Sequence, residues 1–84
     1  MRHSASSSFW DAYRALPKNV QTLADKAYQL LKHSPKHSSL RLKPIGRFWA
    51  VRIGLHYRAL GVSRDNGIVW FWIGTHAEYD RLIR

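Results

Sequence analysis

The sequence predicts an α+β domain, with an N-terminal helical hairpin packed on one face of a three- to four-stranded, mainly antiparallel sheet. Three observations predict it. The apolar spacing changes from helical to strand-like near residue 40. An Asp65-Asn66-Gly67 turn signal separates two apolar runs. The 84 residues, 45% hydrophobic and 13% aromatic, suffice for one domain, 1–84, whose small core must rely on large side chains.

Residues 1–8 are polar and Ser-rich and read as a tail or a weak strand. Ser8 is placed to cap a helix, with Asp11 three residues on to reach back to free N–H groups. Residues 9–33 form the helical hairpin. Phe9, Tyr13 and Leu16 share one face, and Pro17 ends the first helix or starts the second. Val20, Leu23, Ala24, Ala27, Leu30 and Leu31 then follow the spacing of a single buried stripe. His33–Ser39 is a linker broken by Pro35.

Residues 40–74 form the sheet. Leu40–Ile45 alternates Leu40 and Leu42 with Arg41 and Lys43. In Phe48–Ile53 the side chains of Trp49, Val51 and Ile53 share a face opposite Arg52. Gly54–His56 is a turn and Tyr57–Ser63 a strand. Ile68–Ile73 is apolar on both faces, as a covered central strand would be. The Trp70, Phe71 and Trp72 run reads as core, and residues 75–84 as a polar tail.

The charge decides the class of partner. Fourteen Lys and Arg against five acids give a formal +9. A field of that sign on so small a body draws polyanions: nucleic acid first, an acidic protein second, an anionic membrane third. With no cysteine, neither disulfides nor thiolate metal sites are available. Ile68–Ile73, the longest apolar run, is too short to span a bilayer, and Met1–Ser8 lacks the apolar stretch of a signal peptide. The expected location is cytoplasmic, with no membrane partner.

Arg52, Arg58, His76 and Tyr79 are the candidate catalytic group. Arg52 projects from the face away from the helices, and pairing through the Gly54–His56 turn would bring Arg58 beside it. His76 and Tyr79 follow where the chain leaves the sheet. Such a set suits cleavage of a phosphodiester by the RNA 2′-hydroxyl. That reaction needs a base at the 2′-oxygen, cations at the phosphate and a proton donor for the 5′-oxygen. Arginine grips phosphate through two oxygens, histidine titrates near neutrality, and tyrosine stacks on bases or donates a proton. Arg41, Lys43, Arg47 and Arg81 are the expected RNA-binding residues. No metal or other cofactor is expected.

Taken together, Trp49–Val62 (WAVRIGLHYRALGV), Asp65–His76 (DNGIVWFWIGTH) and the nearby Tyr79 resemble the RelE/ParE superfamily of toxins, most closely its RelE-type members. The likeness runs from Phe9 to Leu82, with Tyr57-Arg58 and Ile73-Gly74 as its recurrent pairs. It implies a ribosome-dependent mRNA endonuclease of a type II toxin–antitoxin system, bound by a cognate acidic antitoxin. It further implies that Arg58 contacts the scissile phosphate, that Arg52 supports it, and that His76 and Tyr79 serve proton transfer or base stacking. A ParE-type inhibitor of DNA gyrase shares the fold without needing a proton-transfer histidine. A non-catalytic basic nucleic-acid-binding module remains the third alternative; no recognition helix favours a helix-turn-helix reader.

Overall fold

The computed structural model describes residues 2–84; Met1, the first residue of the expected tail, lies outside them. The elements are β1 (Arg2–Ala5), α1 (Ser7–Arg14), α2 (Lys18–His33), β2 (Lys43–Ile45), β3 (Phe48–Ile53), β4 (Tyr57–Arg64), β5 (Gly67–Thr75) and α3 (His76–Leu82). The strands form one sheet in the order β1-β5-β4-β3-β2. The β2 to β5 neighbours are antiparallel, and β1 lies parallel to β5. The α+β class and the helical layer agree with the sequence reading. The sheet, with five mixed strands, is larger than expected.

The extra strand comes from the Ser-rich start. Arg2–Ala5 has weak strand composition, but β5 offers an open edge, and pairing there satisfies its backbone. A Cβ on Gly67 would run into the Arg2 carbonyl, so glycine at that position lets β1 begin. The first helix also starts earlier than expected. Ser6 is its N-cap without a side-chain capping bond, while the Ser8 hydroxyl donates to the Phe71 carbonyl across to β5. Asp11 pairs with Arg14 at 2.9 Å instead of reaching back.

In α2 the buried stripe is Val20, Ala24, Ala27 and Leu31; Leu23, expected on it, is exposed. Both helices cover the same sheet face. Phe9, Tyr13 and Leu16 of the N-terminal part pack with Ala24, Ala27 and Leu31 over Val51, Ile53, Ala59, Ile68, Trp70 and Ile73.

Leu40–Ile45 is strand only from Lys43. Leu40 is buried in the preceding turn, and Arg41 takes a positive φ of 47°, so it cannot continue a ladder. The β4–β5 hairpin closes around Asp65 and Asn66, with Arg64 opposite Gly67. Only Asp65 of that pair is at positive φ (51°), so the two positive-φ residues of a type I′ turn are not both formed. Residues 75–84, expected as a tail, are mostly helix. Thr75 caps α3: its hydroxyl accepts from Glu78 N–H while Glu78 accepts from the Thr75 backbone, a reciprocal box the sequence carried as Thr-x-x-Glu.

β1 is held by more than its ladder. The Trp70 indole N–H donates to His3 Nδ1 at 3.1 Å, the two rings stack, and the Tyr28 hydroxyl donates to the His3 carbonyl. Accepting at Nδ1 puts the imidazole proton on Nε2, a buried atom with no partner. Burial holds the His3 pKa below its ordinary 6.5. An unfolded chain therefore takes up this proton at higher pH than the folded one. The neutral-state contribution is complete above pH 6.5 and is lost as pH falls through the lower folded value. The expected result is a urea midpoint that drops on acidification from about pH 7.5 to about pH 5. His3→Phe, which keeps a ring but cannot titrate, should show a smaller drop; equal drops would remove His3 as the cause.

Candidate functional site

The register sorts the face opposite α1 and α2 into rows. Phe48 pairs with Val62 and Val62 with Val69. Lys43 pairs with Ala50, Ala50 with Leu60 and Leu60 with Trp72. Arg52 pairs with Arg58 and Arg58 with Gly74. Side chains two residues apart along a strand share a face, so all three rows look the same way. The α3 helix lies over the middle of this face, with Tyr79 buried against Ala50 and Leu60.

The arginine row is the candidate site. Directly opposed side chains on antiparallel strands sit about 5 Å apart at Cβ, and like charges there repel. No carboxylate lies in ion-pair contact with either arginine: among the described residues, Arg14–Asp11 is the only Lys or Arg ion pair. Arg52 donates through Nε to the Gly54 carbonyl at 3.0 Å, and Arg58 through Nη1 to the Tyr57 carbonyl at 2.8 Å. These bonds leave most guanidinium donors unused. The Arg58 pKa is lowered, first by burial and then by Arg52, with Arg41 adding to it and Tyr79 and Asp80 opposing. A strained pair of cations on one face is a ready receptor for an anion.

Gly74 shapes the space beside Arg58. Its Cα lies under the Trp72 indole, and a side chain there would strike the ring. A β-bulge at Leu60/Gly61 breaks the alternation of β5, so Phe71 and Trp72 both pack on this face while Trp70 stays in the helix-side core. The aromatic run is thus core on one side only.

α3 brings the titratable groups. Its first backbone N–H, from His76, donates to the His56 carbonyl of the β3–β4 turn at 2.8 Å, tying the helix to the arginine end of the sheet. His76 is half-exposed, and its Nδ1 lies 3.3 Å from the Asp80 carboxylate one turn on. With Nδ1–H donating to Asp80, Nε2 is the free acceptor. The His76 and Tyr79 rings are 5.9 Å apart. Burial raises the Tyr79 pKa, partly offset by Arg58, so the phenol is held protonated. With 5% of its surface exposed, the Tyr79 ring anchors α3 and has no open face for base stacking.

Among the expected RNA-binding residues, Arg41 joins the site, since the Leu40 carbonyl accepts from Arg52 N–H and Arg41 acts electrostatically on Arg58. Lys43 lies one row away, exposed. Arg81 is exposed on α3 near Glu78, whose pKa is lowered by its bonds to Thr75. Arg47 is not brought in: it precedes β3, about 17 Å from the Arg52 end at strand rise. Asp80 and Trp72 were missed as site residues. His76 and Asp80 have helical i, i+4 spacing, which a segment read as tail concealed.

The chain matches the family model of the ParE-like toxin domain over residues 18–81. No curated protein is matched. Among solved structures, it resembles RelE of the RelB–RelE antitoxin–toxin complex from Methanococcus jannaschii at a TM-score of 0.74 and 12% identity, covering 96% of this chain and 99% of that one. YafQ from E. coli strain BL21(DE3) gives 0.73 and 13%, covering 93% and 96%. The archaeal RelE–RelB complex from Pyrococcus horikoshii OT3 gives 0.67 and 17%, covering 88% and 92%. At these identities the structures share a fold, and the family match over most of the chain supplies the kinship: the chain belongs to the ParE-like toxin domain family and is a toxin of the RelE/ParE superfamily.

Proposed function

We propose that this toxin is a metal-independent endoribonuclease that cleaves ribosome-bound mRNA in the cytoplasm and is neutralised by an acidic antitoxin. The observation that carries the reading is the unpaired Arg52–Arg58 row beside the His76–Asp80 pair. His76 Nε2 takes the 2′-hydroxyl proton, the 2′-oxygen attacks phosphorus, and the bond to the 5′-oxygen breaks. The products are a 2′,3′-cyclic phosphate and a 5′-hydroxyl. Arg52 and Arg58 bind the phosphate and oppose the charge that grows on its oxygens. The Tyr79 phenol, kept protonated by burial, donates to the departing 5′-oxygen; solvent then carries the proton taken by His76 away and returns one to Tyr79, so the step is proton-neutral. Arg41, Lys43 and Arg81 hold flanking phosphates.

The test is a translating extract with added protein and end-mapped transcripts. Cuts ending in cyclic phosphate are expected. Intact mRNA together with loss of gyrase supercoiling activity would replace this reading with the ParE-type one, which the name of the matching family model favours. Asp80→Asn is expected to slow cleavage about tenfold, less than the roughly hundredfold loss for His76→Ala. Nitrogen NMR shifts of His76 should show the proton leaving Nδ1 in the Asp80 variant. An unchanged tautomer would remove Asp80 as the positioning group.

A further inference from the structure

We propose that the groove between α2 and the β3–β4 turn is the subsite for one unpaired nucleobase, that beside the phosphate held by Arg52 and Arg58. This rests on the nuclease reading above and adds a part of the substrate that the arginines do not recognise. Leu23 of α2 and Leu55 of the turn line the groove with 41% and 69% of their surfaces exposed. Leu30 and the buried Leu40 complete its apolar wall. Exposed leucines scattered singly are ordinary, whereas two on one concave surface mark a place where an apolar body binds. Two left-handed residues shape the walls. Gly54, at a φ of 61°, turns the chain under Leu23, whose side chain a Cβ at position 54 would meet at 3.0 Å. Arg41, at 47°, follows the buried Leu40, whose carbonyl accepts from Arg52 N–H. A non-glycine residue keeps that conformation only where its surroundings enforce it.

Place, charge and size select the occupant. Arg52 belongs both to the arginine row and to the lining of the groove, with its Nε held on the Gly54 carbonyl. A ligand whose phosphate sits on the row therefore has its neighbouring group within reach of the leucines. The charged residues of the lining are Lys26 and Arg52, and no acid lines the groove among the described residues. Its volume of about 320 Å³ is at the low end of small-molecule pockets and suits one flat ring system, not a helix about 10 Å across. A nucleobase meets all three conditions: it is joined to the phosphate through one sugar, and its faces are apolar and flat. Those faces pack on leucine side chains or on a guanidinium plane, as unstacked bases do in single-stranded RNA sites. A base still paired in a duplex could not enter, so the groove selects single strands.

The experiment follows leucine methyl and arginine Nε signals by NMR as the full chain is titrated with a 2′-O-methyl dinucleotide monophosphate. Capping the attacking oxygen makes this probe uncleavable. Two counterparts each lack one base and keep the phosphate and its charge. The intact dinucleotide should move the Arg52 and Arg58 signals together with the Leu23 and Leu55 methyls, which shift under the ring current of the base. Removing one of the two bases should weaken binding by about fivefold or more and abolish the leucine shifts, while the arginine shifts remain. Leu23→Ala/Leu55→Ala should weaken the intact dinucleotide by about threefold to tenfold and that abasic counterpart by less than about twofold. Both side chains are exposed, so the double variant is expected to fold; if circular dichroism shows otherwise, Leu55→Ala alone serves the same purpose. Still leucine methyls beside moving arginine signals, equal binding of all three compounds, no binding, or a double variant that binds like the parent each overturns the proposal. So does an amphipathic Leu- and Glu-bearing peptide that moves these methyls where the dinucleotide does not, which would make the groove a protein site. Cleavage of mRNA without leucine shifts leaves the nuclease reading standing and ends this one; leucine shifts without cleavage do the reverse.

Discussion

Arg58→Ala is expected to lower mRNA cleavage by about a hundredfold to a thousandfold, the loss typical of removing one preorganised group from a developing oxyanion. The same change should leave folding stability equal or slightly higher. Arg58 faces Arg52 across β3 and β4 with no carboxylate in ion-pair contact, and burial and Arg52 disfavour its charge more than Asp80 favours it. Removing one of two opposed like charges relieves repulsion. A residue held only for structure would behave in the opposite way, losing stability with its bond to the Tyr57 carbonyl. Cleavage in a translating extract and urea unfolding, measured on one preparation, check both halves. Arg58→Lys should recover part of the activity, because a point charge replaces the fork that meets two oxygens. Full activity in Arg58→Ala would end the nuclease proposal.

Trp70→Ala is expected to cost about 3–5 kcal/mol, read from the urea midpoint with the slope unchanged. For a domain of 84 residues a total stability of roughly 4–13 kcal/mol is typical, so the variant sits near the folding threshold. Trp70 is 3% exposed and belongs to the core under both helices. It also ties β1 and the start of α1 to β5, through its indole N–H on His3 and its carbonyl, which accepts from Ser6 N–H. Trp70→Phe should recover most of the loss while leaving His3 Nδ1 without its donor. A loss below about 1 kcal/mol in Trp70→Ala would mean that the helical layer does not depend on this contact.

What was legible in the sequence was what neighbours along the chain decide. The α2 stripe, the strands of the β3–β5 meander and the face of Arg52 follow from spacing of 3.6 or 2 residues, which sterics impose locally. The pairing of Arg52 with Arg58 was legible too, because a three-residue turn leaves the antiparallel register little freedom. The α3 helix was legible in hindsight: Thr75-x-x-Glu78 is a capping signal, but seven polar-looking residues after a strand hid it.

The remainder needed partners distant in sequence. Arg2–Ala5 becomes a strand only because the β5 edge, some sixty residues on, is open and Gly67 lets it approach. Leu23 leaves the stripe because helix position against the sheet, not period alone, sets burial. Phe71 joins Trp72 on the outer face through a bulge that arises from the mismatch of two strands. The sequence by itself determined the class of the fold, the sign of the field and the set of Arg, His and Tyr side chains proposed to act on a phosphodiester. Tertiary structure decided that His76 and Tyr79 are carried to the arginine end of the sheet, since the docking of α3 is settled by long-range packing that local periodicity does not encode.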